Sequence, residues 1–250
     1  MRSLLQNPSQ CEEPHRGEVS QRLFNIRSAD SFGQRSSASI LINRMYASRG
    51  YPSTPLPVDP QPSRITLVAS EHETTVATIT VGFDTSEGLH VDTLFAEQAN
   101  ALRDAGHAIC EFTTLAVDSA VRSRRVLASL FHSAYIYAHR VMDFDSLLIE
   151  VNPRHVSYYQ RMLGFEVIGP QRFNTRVNAP AVLLCLDFAH AREKIARFGG
   201  RPEFARNERS LYPDFFSSSE EAGILSRLKP MHFNAAGSSR CFQSPCLLQA

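Results

Sequence analysis

An excess of charge of either sign is missing from this chain: 26 Lys and Arg against 25 Asp and Glu leave a formal net charge of +1. No global basic field exists for sequence-independent nucleic-acid binding, so any cationic surface is local. Paired cysteines are missing too. The five Cys form an odd set without a CxxC spacing, and Cys110 and Cys185 fall inside apolar, strand-like runs, which reads as reduced thiols in a cytoplasmic protein. No apolar run approaches the roughly 20 residues that span a bilayer. The leucines near Met1 give way to Gln6, Asn7 and Pro8 too early for a signal peptide. A metal site is not expected either, because His132 and His139 share a helical stretch with no third ligand at a familiar spacing. Glycosidase, phosphoryl-transfer and dinucleotide-binding motifs are absent, as are internal repeats.

What is present is a core-forming chain. With 250 residues and 43% hydrophobic side chains, one domain with ragged ends is expected. Residues 1–20 are polar, interrupted by Pro8, Pro14 and Gly17, and read as a flexible leader. Residues 21–200 hold the regular elements. Runs of β-branched and aromatic residues predict strands over 23–27, 65–69, 76–83, 108–117, 146–151, 165–168 and 181–186, the second and third forming a hairpin. Apolar positions at three- and four-residue steps predict helices over 36–49, 94–105, 126–141, 156–163 and 188–198. Gly106 and Gly164 stop two of them. Prolines 52, 55, 57, 60 and 62 enforce an extended connector. In residues 201–233, Ser218 and Glu221 make a capping-box pattern ahead of Ile224, Leu225 and Leu228, which predicts a short helix docking back. Residues 234–250 read as a disordered tail.

Two blocks carry chemistry. Residues 111–130, EFTTLAVDSAVRSRRVLASL, run from a strand through an arginine-rich turn into the strongest amphipathic helix. Glu111 lies in an otherwise apolar strand, where a carboxylate is costly unless paired or functional. Arg122, Arg124 and Arg125 crowd a helix N-terminus, where the macrodipole and free amides meet anions. Residues 150–166, EVNPRHVSYYQRMLGFE, pass from strand through Asn152 and His155 to a short helix with Tyr158 and Tyr159, then LGF and another strand.

In that order these blocks resemble the acetyltransferase (GNAT) superfamily. CEF..LAVD, FH.AYIYA, EVNPRHV..Y.RMLGFE and RVNAPAVLL more closely resemble bacterial N-acyl amino acid synthases of the long-chain N-acyltyrosine type, relatives of the acyl-homoserine-lactone autoinducer synthases, over roughly residues 27–200. The resemblance implies an α/β, GNAT-like (acyl-CoA N-acyltransferase) fold, a mixed central sheet flanked by helices on both faces. It implies an N-acyltransferase that moves a long-chain fatty acyl group to the amino group of an amino acid. Acyl-phosphopantetheine on acyl carrier protein would be the donor, with no bound cofactor, and acyl-CoA is the alternative. Coenzyme A-dependent members cradle a diphosphate in a glycine-bearing turn, [QR]xxGx[GA]. Here Arg125 and Leu127 fill the small-residue positions, and the arginines suit a single phosphodiester on an acidic partner.

Amide formation from a thioester requires a proton taken from the ammonium, a stabilised oxyanion and a protonated thiolate. The resemblance assigns the amine to Glu111 and the leaving thiolate to Tyr159 or Tyr158, a phenol being a suitable thiol proton donor. His155 is a candidate base or helix cap, and Asn152 a partner for pantetheine amides or a cap. Thr113 and Thr114 stand where these synthases carry an arginine. Either Arg154 or Arg176 then meets the acceptor's carboxylate, or the acceptor differs. Phe112, Leu130 and Phe131 are expected to line an acyl tunnel. A carrier-protein-binding module without turnover is the non-enzymatic alternative.

Overall fold

The structure, a computed structural model, describes residues 24–52, 55–121 and 123–232. The expected leader, the expected tail and Arg122 lie outside the described residues. Eight strands are described: β1 (Phe24–Ser28), β2 (Arg64–Glu71), β3 (Thr74–Phe83), β4 (Ile109–Val117), β5 (Ser146–Val151), β6 (Glu166–Val167), β7 (Arg172–Asn174) and β8 (Ala179–Asp187). They form one sheet in the order β1-β2-β3-β4-β5-β8-β6, with β7 also on β8. Every pairing is antiparallel except β4 with β5. The helices are α1 (Phe32–Ala47), α2 (Asp92–Asp104), α3 (Arg124–Tyr135), α4 (Val156–Leu163), α5 (Phe188–Phe198) and α6 (Ser218–His232).

Local chemistry explains the boundaries. Ser31 and Gln34 close a capping box at the start of α1. His72 and Glu73 both take positive φ, the geometry that joins β2 tightly to β3. Gly164, at φ +83°, ends α4. Helix α3 does not simply continue to Val141 as its apolar period predicts. It passes into a π-helical stretch, Ile136–Val141. The short strand β7 was not expected, and the capping box at α6 lies one residue earlier than expected, between Ser217 and Glu220. Glu221 is used differently: it pairs with Arg140 at 3.0 Å and faces His132 at 3.5 Å.

Alternation along the strands gives the sheet two different faces. One packs Leu67, Ile79, Phe112 and Leu147 against Leu130 of α3, Ile195 of α5, and Tyr212 and Phe215 of the segment after α5. The other carries α2, whose Phe95 and Ala99 cover Ile109, Leu148 and Leu183, and α1, whose Leu41, Ile42 and Met45 cover Ala116. Residues 201–217 strap the first face. Tyr212 donates its hydroxyl hydrogen to the Leu163 carbonyl at 2.7 Å, and Leu211 N bonds the Met162 carbonyl at 2.9 Å.

His132 locks this strap. Its ring is fully buried and stacked against Phe215 and Phe216, with centroids 4.8 and 5.0 Å away. Nδ1 accepts from the Phe216 amide at 2.9 Å, so the neutral ring carries its proton on Nε2, towards Glu221. Burial pushes the imidazole pKa below its ordinary value, against the pull of Glu221. The unfolded chain therefore binds a proton first as pH falls below about 6.5, and stability declines from there towards the lower folded value. A melting series from neutral pH to about pH 5 is expected to show this decline, and His132→Gln is expected to flatten it.

Candidate active site

Strands β4 and β5 pair only from Ile109 to Glu111 against Ser146 to Leu148. Beyond that step β4 stays with β3, β5 stays with β8, and a gap opens between them. An irregularity in the β3–β4 register and a left-handed Thr114, at φ +47°, bend β4 there. Of the expected site residues, Glu111 sits at the last paired step, Thr113 and Thr114 follow it on β4, and Asn152 follows the end of β5.

Glu111 is wholly enclosed. Its Oε1 accepts from the His90 amide at 3.0 Å and pairs with Arg64 at 3.0 Å; its Oε2 accepts from the Val91 amide at 3.0 Å. Helix α2 has no side-chain cap of its own at Val91, and the Glu111 carboxylate supplies the anion at that N-terminus. Opposite it on β3 stands Gly82, where an added Cβ would lie 2.8 Å from Glu111 Cγ. The costly buried carboxylate flagged by the sequence is thus paired and hydrogen-bonded. The imidazole of His90, 3.8 Å from Glu111, has its pKa lowered, chiefly by burial.

Thr114 is locked in the bend: its Oγ1 lies 2.5 Å from Thr80 Oγ1, which in turn meets Thr66 Oγ1 at 2.8 Å. Thr113 Oγ1 is buried without a partner. On β5, Glu150 is a residue that the sequence reading passed over. The signal was there, a lone charge in the apolar strand SLLIEV. Its Oε2 accepts from Arg176 at 2.6 Å and from Asn174, while its Oε1 is buried without a partner. Burial pushes its carboxyl pKa up, Arg176 opposes, and Glu111 adds to the rise.

Arg176, expected at an acceptor carboxylate, is thus paired with Glu150, with its side chain 37% exposed. Arg154 lies over the Tyr51 ring at 5.8 Å and bonds the Tyr51 hydroxyl at 2.9 Å. Asn152 accepts from Arg154 N at 3.2 Å and donates to Tyr51 at 3.2 Å, which is the capping role considered for it. His155 accepts from Arg154 Nε at 3.2 Å, and its pKa is lowered by burial and then by the Arg154 and Arg49 charges. Tyr159 packs edge-on against Phe131 and Phe165, and burial drives its phenol pKa well above the ordinary value. Tyr158 is raised for the same reason. Burial raises the Tyr46 phenol pKa on α1, opposed by the Arg49 and Arg176 charges, and its ring stands edge-on to Tyr51 at 6.3 Å.

The arginine turn divides. Ser123 caps α3 through Val126 N, as the helix start requires. Arg124 is taken by the strap, pairing with Asp214 at 2.7 Å and bonding the Ser210 carbonyl. Arg125 is exposed. On the apolar face, Phe112, Phe131, Leu147, Leu163, Tyr212 and Phe215 help line a wholly apolar cavity of about 20 Å³. Leu130 is buried but does not line it. An acyl tunnel was expected here, but the cavity is no larger than about one water. A long chain enters only if its walls move. Among the described residues no cluster of three or more His, Cys, Asp or Glu is placed to hold a metal.

The family model for the N-acyl amino acid synthase FeeM matches residues 37–187. Among solved structures the chain is similar to FeeM, an N-acyl amino acid synthase from uncultured soil microbes, at 28% identity and a TM-score of 0.62, over 70% of this chain and 96% of that one. An acyl-CoA N-acyltransferase from Pseudomonas aeruginosa is similar at 13% identity and a TM-score of 0.48, over 65% and 97% of the two chains. The AHL synthase LasI is similar at 12% identity and 0.46, over 66% and 89%. No curated protein matches the sequence. The eight-stranded mixed sheet with helices on both faces is the GNAT-like acyltransferase fold expected from the sequence, as in FeeM.

Proposed function

The chain belongs to the N-acyl amino acid synthase family, and from that premise we propose that this acyltransferase moves a long-chain fatty acyl group from acyl carrier protein to the amino group of an amino acid. The observation that carries this reading is the gap between β4 and β5, with charged and hydroxyl side chains on one face and an apolar cavity on the other. The thioester of acyl-phosphopantetheine lies in the gap, its chain on the apolar side and the amine on the polar side. The high phenol pKa keeps Tyr159 protonated, as a hydrogen-bond donor to the departing sulfur. His155 is neutral at pH 7, and its Nε2 is already engaged as acceptor from Arg154 Nε. Arg154 and the exposed part of Arg176 are the cations for the acceptor's carboxylate.

Acyl carrier protein is favoured over coenzyme A by the side chains at the donor turn. Arg125 and Leu127 occupy positions where a diphosphate cradle needs small residues, and exposed Arg125 suits an acidic partner. Buried Cys110 and half-buried Cys185 carry free thiols, in keeping with a reducing cytoplasm where carrier-bound acyl chains are made. No described helix is long and apolar enough to cross a membrane. Arg125→Glu is expected to raise KM for the acylated carrier protein about tenfold at low salt, and to leave KM for acyl-pantetheine unchanged. Expression in a host with fatty acid synthesis, followed by mass spectrometry of the lipid extract, tests the activity itself; the expected product is an acylated amino acid absent from the empty host.

A further inference from the structure

Two buried oxygens lack partners on one face of the sheet, one on each strand that borders the gap. Thr113 Oγ1 belongs to β4 and Glu150 Oε1 to β5. Glu111 and Leu148 form the last paired step between those strands. Thr113 and Glu150 each come two residues later, so strand alternation puts both side chains on the Glu111 side of the sheet. A buried oxygen without a donor is costly in a folded protein, and two of them flanking an opening describe a place for a ligand rich in N–H groups. We propose that Glu150 receives the acceptor's ammonium, its free Oε1 accepting first a hydrogen bond and then a proton, with Thr113 Oγ1 as the second contact. This rests on the acyl-transfer reading above and names the proton acceptor in it.

Glu111 is the rival for this role, and its surroundings argue against it. The side chain is fully buried, and both oxygens are engaged by His90 N, Val91 N and Arg64. Glu150 has one oxygen fixed and one free. Arg176 and Asn174 hold Oε2 and so set the orientation of the carboxylate. The charged and titratable groups around it are Arg176 after β7, Glu111 on β4 with Arg64 and His90 beyond it, and Tyr46 on α1 beside Arg176. Burial outweighs Arg176, so the carboxylate binds a proton more readily than an ordinary glutamate, the direction that a base for an ammonium requires.

The step balances as follows. The ammonium gives one proton to Glu150 Oε1, and the neutral amine attacks the thioester carbonyl carbon. The C–N bond forms and the C–S bond breaks. The second nitrogen proton goes to the departing thiolate, and Glu150 releases its proton to solvent. One thioester and one ammonium give one amide, one thiol and one proton.

The test compares the purified full chain with Glu150→Gln and Glu150→Asp in steady-state acyl transfer from about pH 6 to 9.5, with thermal melting beside it. Glu150→Gln is expected to lower kcat about 100-fold, with a residual rate that keeps rising with pH towards the amine's own pKa where the parent levels off. Glu150→Asp keeps the charge, and is expected to recover part of the rate and the parent's pH limb. A Glu150→Gln rate within about threefold of the parent overturns the proposal. So does a loss with an unaltered pH profile, which is the mark of a structural partner for Arg176. Should Glu150→Gln fail to fold, the Asp variant decides: a rate or pH limb no closer to the parent's than that of Glu150→Ala overturns the proposal. A parent chain that makes no acyl amide from either carrier-protein or coenzyme A donors removes the proposed function and this inference together; an active parent with an unaffected Glu150→Gln removes the inference alone.

Discussion

Glu111→Ala is expected to destabilise the fold by about 3–5 kcal/mol, as the loss of one partner from a buried ion pair does. Three groups lose their acceptor at once. The His90 and Val91 amides open α2, and the Arg64 guanidinium sits 3.0 Å from the carboxylate with its side chain only 19% exposed. Each orphaned amide alone costs about 1–3 kcal/mol. In a domain of this size the melting temperature is expected to fall by about 10 °C or more. The alternative makes the opposite forecast. A glutamate kept only for chemistry is replaced with little loss of stability, because functional groups are commonly held at stability's expense. Melting curves of the two proteins therefore separate an anchor from a dedicated base before any assay of activity.

Tyr212→Ala is the second large effect. Tyr212 is 2% exposed, packs against Phe215 at 5.0 Å and bonds the Leu163 carbonyl. Truncating a buried aromatic costs about 3–5 kcal/mol, whereas Tyr212→Phe removes only the hydroxyl and is expected to cost about 1 kcal/mol. The alanine variant also enlarges the apolar cavity at the wall supplied by the strap. Under the proposed function, a smaller side chain there leaves more room for the end of an acyl chain. Mass spectrometry of the products is expected to show longer acyl groups from Tyr212→Ala than from Tyr212→Phe. Equal distributions would place the acyl chain elsewhere.

Much of the fold was legible because local signals and tertiary packing agree. SLLIEV, the helix from Val156 closed by Gly164, and the helix behind Asp187 fall at their predicted bounds. β7 was not legible: it has three residues, lies between turn-forming segments, and is held by pairing with β8 rather than by any apolar alternation of its own. The π-helical stretch after α3 leaves no mark on a three- and four-residue repeat. At the site, composition showed that Glu111 was unusual but not which amides would find it, since His90 and Val91 are some 20 residues away in sequence. The same rule applied to Glu150, a single charge in an apolar strand, would have raised it as well. Arg124 reads as part of a donor-binding cluster in sequence, yet its partners Ser210 and Asp214 come from a segment more than 80 residues later.

Under the proposed function, a long acyl group passes from carrier protein to an amino-acid amine at the β4–β5 gap. The most direct measurement supplies the purified full chain with acyl-loaded carrier protein or the matching acyl-CoA, together with a mixture of amino acids, and follows acyl amide formation by mass spectrometry. An N-acyl amino acid is expected from the carrier-protein donor, at a kcat/KM at least about tenfold above that for acyl-CoA. Equal or better use of acyl-CoA contradicts the donor assignment. Binding of the acylated carrier protein with no amide from any amino acid, even in a single turnover, contradicts acyl transfer by this chain.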